Sequence, residues 1–290
     1  MDKVVVIGGA GFVGSHTADA LSEKGFQVVI YDSKESPWLR KDQDMIIGDV
    51  LDANQMRKAI SGSKYVYHFA GIADIAEANK RPLDTVHLNV MGTGNAVQAA
   101  LDFGVNRFIF ASTMYVYSPY GSFYRATKQA AETIIETYSE QFGLEYSFLR
   151  YGSLYGPRAQ EWNGLRGYVE QVVKKGSVKY RGTGEERREY IHVVDAAKLS
   201  VDILKKKYTN KAITVTGHQV LYSNELIDLI FEIAGKKKEV SYTDHHVGSD
   251  HYLNTPYRFT PKSAIKLAPE EFFDLGQGIL EVIEEVSGEI

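Results

Sequence analysis

The sequence predicts an α/β fold in which a doubly wound parallel sheet is joined to a smaller C-terminal α/β lobe. Residues 4–7 form an uninterrupted run of branched apolar side chains, which is typical of a strand buried on both faces. A glycine-rich turn at residues 8–14 connects this run to a helix predicted over residues 15–24. Similar apolar strands then alternate with helices as far as residue 157, a pattern typical of parallel sheets with right-handed crossovers.

The glycine-rich turn predicts a site for the phosphates of a dinucleotide. Gly8, Gly11 and Gly14 recur at every third position between the first strand and the first helix. One glycine lets the chain reverse, one lets the backbone approach a pyrophosphate, and one lets the helix pack closely on the strand. The helix N-terminus directs backbone N–H groups at the anion. Asp32 ends the second predicted strand, residues 26–31, where a carboxylate can accept the hydroxyls of an adenine ribose.

The other elements of the first 157 residues follow from apolar runs and helical periodicity. Pro82 suits the first turn of a helix, and the apolar residues between Ala131 and Phe142 fall on one helical face. Strands are predicted at residues 45–47, 65–69, 108–111 and 146–149, and helices at residues 55–60, about 82–103 and 124–142.

Beyond residue 157 the pattern is less regular and predicts a lobe over the carboxyl edge of the sheet, where ligands bind in open α/β sheets. We expect a dinucleotide-binding domain at residues 1–157 and a substrate-binding lobe at residues 158–290, with segments such as residues 189–205 returning to the first domain. Helices are predicted at residues 165–174, 194–205, 223–234 and 275–285, and strands at residues 178–180, 189–191 and 212–215.

Composition excludes several classes of protein. Lys and Arg number 33 against 37 Asp and Glu in 290 residues, so the net charge of −4 does not favour nucleic acid. The absence of cysteine excludes disulfides, cysteine-ligated zinc and a thiol nucleophile. The first apolar run is too short for a signal peptide and no run reaches membrane-spanning length, so we expect a cytoplasmic enzyme with no membrane partner.

A cluster of acidic and histidine residues near the C-terminus is the one candidate for a metal site. Its members lack the regular helical spacing of paired ligands, and hydrophilic loops collect such residues by chance. We therefore predict no metal. The cluster consists of Asp244, His245, His246, Asp250 and His251.

Tyr124 and Lys128 predict a general base. They stand four residues apart at the start of a predicted helix, so their side chains share one face. A neighbouring ammonium favours the phenolate form of tyrosine, which lowers the tyrosine pKa towards a useful range. A Tyr-x-x-x-Lys pair is common by itself. Its place in the helix after the fifth strand of a dinucleotide-binding fold favours a catalytic role.

Together, the Gly8-x-x-Gly11-x-x-Gly14 turn and the Tyr124–Lys128 pair resemble the extended short-chain dehydrogenase/reductase family, the nucleotide-sugar epimerases and dehydratases. The resemblance implies a Rossmann-type fold, NAD and a catalytic set of Thr113, Tyr124 and Lys128, with Ser112 as the alternative to Thr113. It extends over most of the chain, through segments at residues 48–50, 68–71, 89–93, 150–158 and 182–195.

The resemblance also implies the residues that bind the two ligands. Asp32 favours NAD because a carboxylate would repel a 2′-phosphate, whereas Lys34 leaves NADP as an alternative. His68 is expected to be structural and Asp195 to cap a helix. The implied cofactor residues are Gly8, Gly11, Phe12, Val13, Gly14, Asp32, Ser33, Asp49, Val50, Ala70, Gly71, Asn89, Tyr124, Lys128 and Tyr151. The implied substrate residues are Thr113, Ser153, Arg188 and Arg258, with Arg188 and Arg258 on the diphosphate.

Departures from the family pattern narrow the reaction. Met114 and Tyr115 stand where family dehydratases carry Asp-Glu, so dehydration is disfavoured. The connection from Thr113 to Tyr124 is shorter than is usual in the family. Its loop helps to form the sugar pocket, so we expect this pocket to be more open or to be shaped by the other lobe. Ser153 replaces the usual Asn, and Gly71 replaces the commoner Ala.

We therefore expect an NAD-dependent epimerase of nucleotide-diphosphate sugars, of the 4-epimerase type. The alternatives are a 4-dehydrogenase or ketoreductase on a similar sugar, and a cofactor-binding regulator without catalysis. A UDP-sugar is the favoured substrate, although the sequence does not identify the base, the sugar or the reacting carbon. A homodimer through the helices at residues 82–103 and 124–142 is expected from the resemblance.

Overall fold

The structure, a computed structural model, describes residues 1–243 and 265–288. The strands in these ranges are β1 (Lys3–Ile7), β2 (Gln27–Asp32), β3 (Gln43–Ile47), β4 (Tyr65–His68), β5 (Arg107–Thr113), β6 (Tyr146–Tyr151), β7 (Ser153–Tyr155), β8 (Val178–Arg181), β9 (Arg187–His192), β10 (Lys211–Val215), β11 (Val220–Tyr222), β12 (Val240–Thr243) and β13 (Ile265–Leu267). The α-helices are α1 (Phe12–Glu23), α2 (Ala53–Ile60), α3 (Ile75–Lys80), α4 (Pro82–Val86), α5 (Gly92–Asp102), α6 (Ser122–Phe142), α7 (Gly164–Lys175), α8 (Val193–Asp202), α9 (Ser223–Ile233) and α10 (Leu275–Gly288).

One parallel sheet organises the molecule. Within the described ranges its strands lie in the order β13-β10-β6-β5-β4-β1-β2-β3. The order reverses between β1 and β4, and in such sheets ligands bind at the carboxyl edge beside that reversal. Ile7 is paired with both Tyr31 and His68, so the turns that follow β1, β2 and β4 meet at this edge.

Helices bury both faces of the sheet. On one face, α2, α5 and α6 enclose a core around Val5, Val66, Phe108 and Phe148. On the other face, α1 and α8 cover Val4, Val6 and their neighbours. Because β1 is buried on both sides, it needs the continuous run of branched apolar residues that the sequence shows.

A third core builds the smaller lobe. Side chains of α7, α9 and α10 pack together there, among them Leu165, Ile227 and Ile279, with Val178 and Tyr180 of β8. Two small sheets, β11-β9-β7 and β12-β8, complete the lobe beside the main sheet.

The structure confirms the predicted Rossmann-type α/β fold and refines the extents of several elements. The helix predicted over residues 82–103 is interrupted by a π-helical turn, His87–Met91, between α4 and α5. The predicted strand at residues 212–215 belongs to the main sheet as β10, because it pairs with β6, and β13 extends that sheet. Helix α8, which comes from the segment of residues 189–205, packs on the main sheet. The division of the chain into two domains at residue 157 stays a prediction.

The sequence analysis did not predict several short elements. Helix α3 has six residues, and β7 and β11 have three each. Such lengths do not complete a recognisable period in the sequence, so pairing with distant strands decides them. In the part of the chain that the structure describes, no helix combines the length and the apolar character needed to cross a membrane.

Candidate active site

A cleft of about 840 Å³ lies at the carboxyl edge of the main sheet, between the sheet and the lobe. Nearly all the residues predicted for the cofactor, the substrate and the chemistry line this one cleft. They are Gly8, Gly11, Phe12, Val13, Gly14, Asp32, Ser33, Asp49, Val50, Ala70, Gly71, Thr113, Tyr124, Lys128, Tyr151, Ser153 and Arg188. Asn89 does not line the cleft, and Arg258 lies outside the described residues.

Backbone packing explains Gly8 and Gly14, the two ends of the turn. Gly8 has a φ of +81°, and a Cβ there would come within 2.5 Å of the Ala70 nitrogen. A Cβ on Gly14 would overlap the carbonyl oxygen of Gly8, so the helix could not approach the turn. Gly11 caps α1 without any side-chain hydrogen bond, and the first turn of α1 has no acidic residue. The N-terminus of α1 therefore leaves backbone N–H groups at the cleft without a side-chain cap, as a site for an anion requires.

Asp32 is held at the cleft wall by the turn itself. Its Oδ2 accepts a hydrogen bond from the Ala10 N–H at 3.0 Å, and its Oδ1 accepts one from the Lys34 N–H at 3.3 Å. Tyr31, which the sequence analysis did not assign to the site, donates its hydroxyl to the Asp49 carbonyl at 2.8 Å. The two loops beside the predicted adenosine position are thus fixed to β2.

Asn89 supports the site from behind. Its Oδ1 accepts from the Ile72 N–H at 2.7 Å, and its Nδ2 donates to the Ile72 carbonyl and to Thr127 Oγ1. Asn89 therefore joins the loop after β4 to α6. Its predicted role as a cofactor ligand stays a prediction, and in the structure its amide holds two walls of the cleft together.

Lys128 is buried beneath the cleft. Its Nζ donates to the Ala111 carbonyl at 2.8 Å and lies 4.6 Å from the centre of the Phe110 ring. Burial lowers the pKa of Lys128 to about 8, and the carboxylate of Glu132 partly opposes that effect. The ammonium is therefore close to its titration point at physiological pH.

Tyr124 lies on the cleft wall, one helical turn before Lys128. Its ring meets the Tyr115 ring edge-on, with centroids 6.1 Å apart. Helix α6 begins at Ser122, after Gly121 in the left-handed region, so the first turn of α6 carries Tyr124 and the second carries Lys128. Both side chains line the cleft, as their helical spacing predicts.

Two hydroxyls end β5 in the cleft. Thr113 Oγ1 accepts from the Tyr115 N–H at 3.2 Å and begins the 3₁₀ turn Met114–Tyr117. The Ser112 hydroxyl is buried and has no hydrogen-bond partner within the described residues. Thr113 and Ser112 both line the cleft, so both alternatives left by the sequence remain available.

The lobe contributes a wall that the sequence identified only through Arg188. Tyr168, Tyr180, Arg181 and Glu186 also line the cleft. Glu186 is buried and accepts hydrogen bonds from the N–H groups of Thr183 and Gly184 and from the Tyr180 hydroxyl, each at 2.8–2.9 Å. This carboxylate shapes the loop beside Arg188. The sequence pattern does not reveal this role of Glu186, because its partners reach the carboxylate only when the chain turns between β8 and β9.

His68 and Asp195 lie outside the cleft wall. His68 is buried in β4, and its Nε2 is 3.0 Å from Thr93 Oγ1. Burial, with repulsion from Lys128, lowers the pKa of His68 to about 3. The expectation that Asp195 caps α8 is wrong, since His192 occupies the N-cap and the Asp195 carboxylate instead accepts from the Phe273 N–H at 2.7 Å.

The predicted metal candidates, Asp244 to His251, lie outside the described residues. Within residues 1–243 and 265–288, no group of three histidine or acidic side chains is arranged to hold a metal ion.

Comparisons with known proteins agree with this geometry. The sequence profile of the NAD dependent epimerase/dehydratase family matches residues 4–216. The chain is 28% identical to a UDP-glucose 4-epimerase of Rhizobium meliloti, over 85% of this chain and 86% of the relative. It is 28% identical to a UDP-N-acetyl-alpha-D-glucosaminuronate decarboxylase of Bacillus cytotoxicus, over 82% of each. Its fold matches the UDP-glucose 4-epimerase of Thermotoga maritima, solved with UDP-glucose, with a TM-score of 0.86, 24% identity and 99% coverage of both chains.

Proposed function

The chain belongs to the NAD-dependent epimerase/dehydratase family, and from its site we propose that it is a 4-epimerase of UDP-sugars. The observation that carries the proposal is the single cleft in which Thr113, Tyr124 and Lys128 stand beside the glycine turn of β1. The catalytic base and the hydride acceptor must act at the same carbon of the sugar, so both must lie in the same cleft.

The residues of the sheet edge fit NAD. The Gly8–Gly14 turn is so closely packed that a Cβ at either end has no room, and the uncapped N-terminus of α1 would hold the pyrophosphate. Asp32 would accept the adenosine ribose hydroxyls, which favours NAD over its 2′-phosphorylated form. When bound, NAD would accept a hydride from the sugar carbon and return it to the opposite face.

The side chains of α6 and β5 would move the proton. Tyr124 would take the hydroxyl proton of the sugar as the hydride leaves, and it would return that proton after the keto sugar has turned over. The Lys128 ammonium would stabilise the phenolate of Tyr124 by its charge. Thr113, or Ser112 beside it, would hold the reacting hydroxyl in line with Tyr124.

Three observations separate epimerisation from its alternatives. Met114 and Tyr115 follow Thr113, and neither side chain can act as the acid that removes water. The complete set of Thr113, Tyr124 and Lys128 also disfavours a regulator that only binds the cofactor. The relatives named as UDP-glucose 4-epimerases support return of the hydride over a net dehydrogenase or ketoreductase.

Arg188 is proposed to bind the diphosphate of the substrate from the lobe side. It lines the cleft, and its guanidinium donates to the Arg187 carbonyl at 3.0 Å. Guanidinium groups bind phosphate oxygens through charge-assisted hydrogen bonds. Ser153 is half-buried on the same cleft and is proposed to contact the sugar or the phosphates.

Product analysis tests the reaction. The protein with NAD is incubated separately with UDP-glucose, UDP-N-acetylglucosamine and UDP-glucuronate, and products are separated and weighed by mass spectrometry. We expect an isomer of unchanged mass and no lasting near-ultraviolet absorbance of reduced nicotinamide. A product lighter by water or carbon dioxide, or stoichiometric reduced nicotinamide, would overturn the epimerase assignment.

Substitution of the base tests the mechanism. Tyr124→Phe should lower kcat by roughly 10³-fold while NAD still binds, because general base catalysis contributes about 10²–10⁴-fold. Tyr120→Phe is the matched control, since Tyr120 lies four residues earlier, outside the cleft lining. Equal activity of the Tyr124→Phe variant and the wild-type protein would exclude Tyr124 as the base.

We also propose that two copies associate through α4, α5 and α6. Large apolar side chains that a partner would cover are exposed on α4 (Leu83 and Val86), on the π-helical turn before α5 (Met91) and on α6 (Phe123 and Phe142). Leu83 is 74% exposed and Phe142 is 62% exposed. Sedimentation velocity should show a dimer that Leu83→Lys/Phe142→Lys converts to a monomer, and a monomeric wild-type protein at micromolar concentration would refute this interface.

A further inference from the structure

A buried ion pair lies directly behind the catalytic helix α6. Arg150, near the end of β6, donates from Nε and Nη2 to the two carboxylate oxygens of Glu132, at 2.9 and 2.6 Å. Both side chains are 4% exposed. The third guanidinium nitrogen, Nη1, donates to the Tyr117 hydroxyl at 2.6 Å. One guanidinium thus joins β6, α6 and the 3₁₀ turn that follows Thr113.

The connection between Thr113 and Tyr124 is short, and α6 holds it at further points. Gln129 Nε2 donates to the Val116 carbonyl at 2.9 Å, and Arg125 Nη1 donates to the Ser118 carbonyl at 2.9 Å. Together with the hydrogen bond from Arg150 to Tyr117, side chains of α6 and β6 thus hydrogen-bond to three successive residues, 116–118. The turn that carries Thr113 therefore cannot move independently of the helix that carries Tyr124.

We infer that Glu132, Arg150 and Tyr117 form a positioning network that fixes the Thr113 turn against α6 and places a carboxylate one helical turn from Lys128. The inference rests on the proposed function, because it assigns to these residues the preparation of the same catalytic set. None of the three lines the cleft, so they act through Thr113 and Lys128.

The charge of Glu132 gives the network an electrostatic effect. Burial lowers the pKa of Lys128, and Glu132 is the neighbour that raises it. Tyr124 lies one helical turn before Lys128 on α6, and His68 on β4 also interacts with Lys128. The lowered pKa of His68 keeps that side chain neutral above pH 6. Without the Glu132 charge, Lys128 should therefore lose its proton at a lower pH.

The paired variant Glu132→Gln/Arg150→Met tests this effect. Removing both charges avoids an unpaired buried ion, and neutral replacement of a buried pair is often tolerated. The basic limb of the kcat–pH profile should move down by up to about one pH unit, because the variant removes the opposite charge of Glu132, while the simultaneous loss of the like charge of Arg150 offsets part of that effect. NAD affinity should stay within about twofold, since no cofactor contact changes. Glu140→Gln, which removes an exposed carboxylate from the same helix, should leave the profile in place.

Tyr117→Phe tests the positioning of the turn and keeps the buried ring. We expect kcat to fall about tenfold, as for loss of one hydrogen bond to a charged group, with KM nearly unchanged and the basic limb in its wild-type place. A wild-type kcat in this variant would overturn the positioning role, and that result would decide the matter even if the paired variant did not fold.

A titration without substrate separates this proposal from the proposed function. NMR of the ¹⁵N-lysine protein bound to NAD, with the Lys128 signal assigned through Lys128→Arg, reports the Lys128 pKa directly. A lower Lys128 pKa in the paired variant would support the network even if no UDP-sugar were turned over. An unchanged Lys128 pKa would overturn the electrostatic role, whatever the enzyme catalyses.

Discussion

The two walls of the cleft are built in different ways. The sheet wall is made of backbone that touches backbone, and Gly8 and Gly14 leave no room for even one additional carbon atom. The lobe wall is made of side chains, with Tyr168 and Tyr180 beside Arg188 and a loop shaped by the carboxylate of Glu186. We therefore propose that the backbone-built wall binds the cofactor and that the side chains of the lobe wall select the sugar nucleotide.

This difference predicts how each wall responds to change. A substitution in the backbone-built wall should disturb stability and cofactor binding together, because packed interiors do not yield to added atoms. A substitution in the side-chain wall should change substrate affinity alone. The joint, the region around His16 and His192 where the two walls meet, should respond to pH because both histidines are buried.

The largest expected effect comes from Gly14→Ala. The new Cβ would overlap the Gly8 carbonyl oxygen, so α1 must move away from the turn. We expect NAD affinity to fall by more than about 100-fold, with a loss of stability of about 1–3 kcal/mol from overpacking. Calorimetric titration with NAD and thermal unfolding measure both quantities.

Gly94→Ala is the control for that substitution. Gly94 lies within α5, and nothing stands within 4 Å of the position of its added Cβ. Alanine should stabilise the helix by about 1 kcal/mol and leave NAD binding unchanged. If both variants bound NAD like the wild-type protein, the backbone-built wall would not be as unyielding as its packing indicates.

An intermediate effect is expected from acid, and it should begin at the joint. Burial lowers the pKa of His16 and of His192 to about 4 each, and that of His68, within the sheet, to about 3. Between those values and about 6.5 the unfolded chain binds more protons than the folded chain, so the free energy of unfolding falls as pH falls. The loss should be on the order of a few kcal/mol by pH 4.

Hydrogen exchange can locate that loss. The charged groups around the joint include Arg158 and Asp19 near His16, and Glu281 and Lys198 near His192. On lowering the pH from 7 to about 4.5, amides of α8 and α10 should lose protection before those of β1 and β4. Simultaneous loss in all four elements would contradict the separate response of the joint, and His192→Gln should reduce the acid sensitivity of α10.

The smallest effect is expected from Arg188→Ala in the lobe wall. Loss of charge-assisted bonds to the diphosphate should weaken UDP binding by about tenfold to a hundredfold. NAD affinity and the melting temperature should stay close to wild type, because Arg188 is only half-buried and supports no core cluster. Arg187→Ala, next in the chain, is the matched control, since its guanidinium lies over the Tyr222 ring and not on the cleft. Equal weakening in both variants would argue against a specific role for Arg188.

The sequence by itself determined the sheet half of the fold and predicted the residues of its site. A buried strand, three regularly spaced glycines and Asp32 at the end of the next strand identify the cofactor turn, and Tyr124 with Lys128 lies within one helical turn. The structure places all of these residues on one cleft. These features depend on contacts between residues close in sequence or on the end of a strand, so local periodicity contains them.

Only the tertiary structure decided the rest. The pairing of β10 with β6, the bond from Asn89 to the loop after β4, and the joining of Glu132, Arg150 and Tyr117 all connect positions far apart in the chain. The aromatic part of the lobe wall likewise forms only when α7 and β8 pack together and bring Tyr168 against Tyr180. A single sequence states which side chains are present, whereas the partners of a buried charge are set by the packing that brings distant strands and helices together.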